Sequence, residues 1–126
     1  MRILLIEDNP DHVFLARQAV EQTWHSATLD IAHDMQDVRS RYCHKKPRRR
    51  FDLVLVSLDS RDTHRLQQLR ELQACRELND APVIALASST RDQELAQVAN
   101  QPIEWIILKP LRAEALQEAI KRRPLP

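Results

Sequence analysis

A doubly wound α/β domain is the fold that this chain of 126 residues predicts. Three observations point to it. Five short apolar runs rich in β-branched residues alternate with helical patterns. Most of those runs are near-continuously apolar, as strands covered on both faces are. Five strand–helix units fit within the length of one ordinary domain, which calls for a parallel sheet with helices on both sides.

The elements follow in order. The first run, Ile3–Ile6, comes after Met1-Arg2 and stops at two acids. It is too short for a signal-peptide core and reads as a strand. Asn9-Pro10 opens the first helix, with proline where a missing N–H costs little. Leu15, Ala16, Ala19 and Val20 form its apolar stripe. The second strand is Ala27–Ala32, with Asp30 inside it, and the second helix covers 34–43. The third strand, Phe51–Ser57, precedes a helix marked by Leu66, Leu69, Leu72 and Cys75. The fourth, Pro82–Ala87, precedes one marked by Leu95, Val98 and Ala99. The fifth, Ile103–Leu108, precedes one marked by Leu116, Ala119 and Ile120 that ends near Pro124. Right-handed crossovers leave few topologies, and the flavodoxin-like strand order 2-1-3-4-5 is the common one at this size.

Composition narrows the function. Hydrophobic residues make up 43% and charged residues 29%, the profile of a folded globular chain. Glycine is absent, where average usage of about 7% is the norm. That excludes a Gly-rich dinucleotide loop, a P-loop and a Gly-x-Ser-x-Gly nucleophile elbow. No apolar run approaches the ~18 residues of a membrane span, so no membrane role is expected. Cys43 and Cys75 have no metal-type spacing and read as free thiols of a cytoplasmic protein. The net charge of +1 hides a basic segment: residues 39–50 hold seven Lys and Arg and no acid, leaving 12 basic against 18 acidic side chains elsewhere. Such a run can contact phosphates, although a solvated loop is its commoner role.

Folds of this class place their sites at the carboxyl ends of the strands. Glu7-Asp8 ends the first strand, Ser57-Leu58-Asp59 the third, Ala87-Ser88-Ser89-Thr90 the fourth and Lys109-Pro110 the fifth. The ordered set resembles the receiver domain of response regulators over about residues 2–122. Arg2–Asn9 resembles the first strand and acidic pair of that CheY-like family. Asp52-Leu53-Val54-Leu55-Val56 resembles the strand leading to its phosphoacceptor, and Leu108-Lys109-Pro110 its lysine turn. Glu7-Asp8-Asn9-Pro10-Asp11 looks like the stand-alone receivers that include partners of bacterial phytochromes. The resemblance implies a single receiver-like domain over 1–126, with five helices and no effector domain. It also implies a chemistry. A carboxylate at the end of the third strand accepts a phosphoryl group, Mg²⁺ held by oxygen ligands spreads the charge, and the lysine pairs with the phosphoryl oxygens.

Against that pattern the sequence departs in a coherent way. The phosphoacceptor-equivalent position is Ser57, the switch hydroxyl position is Ala87, and the switch aromatic position is Ile106. Serine carries no charge and needs a base to become a nucleophile. Glu7 and Asp8 still resemble metal ligands, but Mg²⁺ binding is weakened without the third carboxylate, and Lys109 can neutralise one of the pair directly. Glu7, Asp8, Ser57, Ala87, Ser88 and Lys109 therefore read as a vestigial active site. The expectation is a pseudo-receiver in bacterial two-component-type signalling that is not an enzyme and requires no cofactor. It would act by phosphorylation-independent protein–protein interaction with a histidine kinase, a photoreceptor or a downstream effector, alone or as a homodimer.

The expected interaction face spans about 91–122, with Trp105, Ile106, Arg112 and Lys121 as contacts. By strand alternation Trp105 lies on the face opposite Ile106. Asp59 is the alternative acceptor, but it stands roughly 7 Å beyond Ser57 along a strand. A third reading is anion or nucleic-acid binding through 39–50; few aromatics to stack bases and an acidic remainder make nucleic acid unlikely. A hydrolase triad from Ser57, Asp59 and His64 would lack an oxyanion hole. The five histidines, 12, 25, 33, 44 and 64, show no ligand spacing and read as surface or helix-face residues.

Overall fold

The computed structural model describes residues 1–43, 50–58, 71, 75, 78, 81–90, 103 and 105–122. Five strands form one parallel sheet: β1 (Arg2–Ile6), β2 (Thr28–Ala32), β3 (Leu53–Leu58), β4 (Val83–Ala87) and β5 (Trp105–Leu108). Their order is β2-β1-β3-β4-β5, as the alternation of apolar runs and helical patterns predicts. Three helices are described: α1 (Pro10–Thr23), α2 (Met35–Arg41) and α3 (Ala113–Arg122). The two further helices expected between the third and fifth strands lie almost wholly outside the described residues.

Two of the described helices, α1 and α2, start where the sequence provides a cap. The side chain of Asn9 accepts from the Asp11 N–H at 2.9 Å, and Pro10 follows at the first helical position. Asp34 accepts from the Asp37 N–H at 2.8 Å, while the Asp37 carboxylate accepts from the His33 N–H at 3.1 Å. The first bond satisfies an orphan donor of α2, and the second ties the residue before the cap to the first turn.

Alternation along the strands divides the core in two. Ile3, Leu5, Leu53, Leu55, Ile84, Leu86 and Ile107 face one side, where Ala16, Ala19 and Val20 of α1 and Leu116 and Ala119 of α3 cover them. Leu4, Ile6, Val54, Val56 and Ala85 face the other, beneath Met35 and Val38 of α2. Trp105 packs against the first cluster and Ile106 against the second, so the two do lie on opposite faces. Trp24 caps the end of α1 and packs on the same side as Trp105. Among the described residues, no helix is long and apolar enough to cross a membrane.

One expectation fails. Cys43 and Cys75 are not free thiols: they form a disulfide, with Cα atoms 5.4 Å apart. Thirty-two residues separate them in sequence, but the end of α2 and the chain at Cys75 meet over the α2 side of the sheet. Beside the bond lies a polar-aromatic group. Tyr42 donates to Asp30 at 3.2 Å, Arg2 pairs with the same carboxylate oxygen at 2.9 Å, and the Tyr42 and Phe51 rings meet edge to face. Burial, and then the Asp30 carboxylate, push the Tyr42 phenol above its ordinary value of 10.0.

Candidate functional site

The carboxyl edge of the sheet is built by extending the strand ladder one residue beyond its strands. The Glu7 N–H donates to the Ala32 carbonyl at 2.9 Å, which holds Glu7 at the tip of β1. The Lys109 N–H donates to the Ala87 carbonyl at 2.8 Å and fixes Lys109 past β5, where the Lys109–Pro110 bond is cis. Ser57 is within β3, two residues beyond Leu55, and so shares the face covered by α1. The Asn9 cap sets the first turn of α1 so that His12 reaches over the same edge.

These four side chains meet. The Lys109 ammonium lies 2.5 Å from Glu7 Oε1, 2.5 Å from Ser57 Oγ and 3.0 Å from His12 Nδ1. An ammonium has three donors and no acceptor, so these three partners saturate it. His12 Nδ1 also lies 3.1 Å from Glu7 Oε1. One nitrogen cannot serve both neighbours at once. Accepting from Lys109 requires its lone pair, which places the proton of neutral His12 on Nε2. The other oxygen of Glu7 accepts from the backbone N–H groups of Asp8, at 3.0 Å, and Asn9, at 3.4 Å.

Glu7 and Ser57 are the buried polar side chains of the described core, each 2% exposed. A charge so placed needs a partner, because an unpaired buried carboxylate is strongly disfavoured. Lys109 supplies it. Glu7, His12 and Lys109 line a cleft of about 230 Å³, open solvent included, together with Leu15, Ala16, Leu86, Pro110 and Leu111.

The other expected residues separate from this group. Ala87 is fully buried and offers only a methyl. Ser88 Oγ donates to the Leu58 carbonyl at 3.2 Å and ties the ends of β3 and β4 together. Asp8 is exposed at the rim. Ile106 is half-buried against the α2-side cluster. Arg112 and Lys121 are exposed and Trp105 is half-buried. Asp59, the alternative acceptor, lies outside the described residues, as do Lys45, Lys46, Arg48 and Arg49 of the basic segment; its described members Arg39, Arg41 and Arg50 are exposed.

Glu7 and Ser57, in these contacts, offer little to a hard divalent cation. Such an ion needs several oxygen ligands in near-octahedral array. Both oxygens of Glu7 are already engaged, Ser57 brings no carboxylate, and among the described residues no group of three or more His, Cys, Asp or Glu side chains is arranged for a metal.

This topology has known counterparts. The family model of the response regulator receiver domain matches residues 3–121. The chain belongs to that family. Among solved structures, the bacteriophytochrome response regulator AtBRR is similar at 25% identity, with a TM-score of 0.79 over 95% of this chain and 89% of that one. A CheY-like receiver domain from Methylobacillus flagellatus shares the fold at 16% identity, with a TM-score of 0.72 over 97% of each chain. Among curated proteins, the "Probable methanogenesis regulatory protein FilR2" of Methanothrix harundinacea (strain 6Ac) is 25% identical over 123 residues, 94% of this chain and 78% of that protein. Receiver domains serve in two-component signalling and meet kinases or effectors there.

His12 is the site residue that sequence reading misses. A lone histidine on a helix resembles any surface histidine. The available signal was positional: it falls five residues after Glu7, on the first turn of a helix capped by Asn9.

Proposed function

We propose that this receiver domain acts without an aspartyl-phosphate switch, as a phosphorylation-independent protein-interaction module for a cytoplasmic signalling partner. One observation carries the reading. The Lys109 ammonium is saturated by Glu7, Ser57 and His12 at the edge where a receiver would hold metal and phosphoryl group. In this reading Lys109 supplies from within the chain the positive charge that Mg²⁺ would bring from outside. Glu7 is then neutralised without a metal, and Ser57 is held as a hydrogen-bond acceptor instead of a nucleophile.

The readout is absent on the same terms. Ala87 cannot bond a phosphate, and Ile106 has no ring to reorient. What remains for a partner is surface, with Trp105, Arg112 and Lys121 on the β5–α3 side as contacts. The test is intact mass after incubation with acetyl phosphate and Mg²⁺, run beside Asp59→Ala. The expected result is no phosphoryl adduct on either protein. An adduct on the parent chain that Asp59→Ala abolishes would replace this reading with a displaced-acceptor regulator.

A further inference from the structure

Two contacts join α2 to a distant stretch of chain, and they share a spacing. Arg39 pairs with Glu71, and Cys43 is bonded to Cys75. The partners stand four residues apart in sequence on each side. The contacts form two rungs at the C-terminal end of α2, one on the helix and one just past its Tyr42 cap. The rungs differ in kind. The ion-pair rung is exposed, with side chains 50% and 35% accessible, whereas the disulfide rung is buried in the core.

The seven residues of α2 are too few to hold a helix by themselves. Its docking rests on Met35 and Val38 within the helix, on Tyr42 at its cap, and on these two rungs. An exposed ion pair adds little, so the covalent rung decides whether the end of α2 stays down.

We propose that Cys43 and Cys75 are a reversible thiol–disulfide exchange site that clamps the end of α2, and that a cellular dithiol reductant releases it. In the exchange, one thiolate of the dithiol attacks a sulfur of the pair. A mixed disulfide forms, and the other cysteine leaves as a thiolate that takes a proton. The second thiol of the reductant then attacks the mixed disulfide. The Cys43–Cys75 bond is broken, the reductant ends as a disulfide, and two electrons and two protons have passed to the cysteines. Both cysteines are buried, so attack requires the end of α2 to lift first. The exposed Arg39–Glu71 rung is the place where lifting starts. The inference is independent of how the carboxyl edge of the sheet works.

The test uses the whole chain, purified without reductant and then treated with a small-molecule disulfide. Denaturation and alkylation should add no label before reduction and two labels after it. Hydrogen exchange of the native protein should then rise across residues 35–43 on reduction with dithiothreitol, by about tenfold or more beyond the rise in β1 and β4 that the lower global stability brings. Reoxidation should reverse the change, and Cys43→Ala with Cys75→Ala should match the reduced form and ignore the reductant. Two labels before reduction would overturn the proposal. So would exchange in 35–43 that is unchanged or rises no more than in β1 and β4, which would make the bond a general requirement of the fold rather than a local clamp.

Discussion

The two sides of this receiver domain are held by opposite means. At the carboxyl edge, buried Glu7 and Ser57 meet Lys109 and the half-exposed His12 in a polar group closed by an ion pair. Over the α2 side, a disulfide and an exposed ion pair join the end of α2 to Cys75 and Glu71, and Tyr42 meets Phe51. The first arrangement stands where a receiver would hold metal and phosphate. It keeps its charge and has turned it inward. The second uses no charge in the core and depends on chemistry outside the chain, because a disulfide responds to the surrounding thiols. In the two proposals made above, the site side is insulated from the usual input of a receiver, while the α2 side answers to a different one.

The largest expected effect comes from breaking the buried ion pair on one side only. Lys109→Met leaves the Glu7 carboxylate buried against acceptors that have lost their donor. It should cost about 3–5 kcal/mol in urea unfolding. Adding Glu7→Gln should recover part of that loss, since no charge is then left unpaired. If the single variant unfolds like the parent, Lys109 does not hold the edge.

Removing the disulfide should come next. Its 32-residue span corresponds to about 2–4 kcal/mol in the loop-closure account. Reduction should therefore lower the midpoint of unfolding by less than Lys109→Met does. The two losses should add to within about 0.5 kcal/mol, because they lie on opposite faces of the sheet. Strong non-additivity would show that the sides communicate.

The alkaline limb gives a third handle. Tyr42 is the single tyrosine, so its ionisation can be followed by absorbance without interference from another. Its folded value is raised, so ionisation is easier in the unfolded chain. Stability from this group is intact below pH 10.0 and falls as pH rises above it. Asp30→Asn should shift the titration down while leaving it above the ordinary value, because burial is the larger cause. The smallest effect belongs to Glu71→Gln, under about 1 kcal/mol, fading further at high salt.

The sequence carried most of the sheet. Near-continuous apolar runs mark strands covered on both faces, and the alternation of Trp105 and Ile106 placed them correctly before any coordinates. It also carried Glu7, Ser57 and Lys109, because strand ends converge in this topology. It could not carry His12, whose role depends on where the Asn9 cap aims the first turn of α1. Nor could it carry the Cys43–Cys75 bond. That pairing depends on how α2 lies against a stretch 32 residues away, and two cysteines without a spacing pattern say nothing of that. Ser88 was grouped with the site by its position at a strand end, yet its hydroxyl turns back to the Leu58 carbonyl.

The most direct measurement is an amide NMR spectrum of the isotope-labelled chain titrated with Mg²⁺ and then with beryllofluoride, a phosphoryl mimic. A site already closed by Lys109 predicts that the amides of Glu7, Asp8, Ser57 and Lys109 stay where they are through both additions. Saturable shifts of those four amides, larger with both reagents than with Mg²⁺ alone, would contradict the account and restore a working phosphoryl switch.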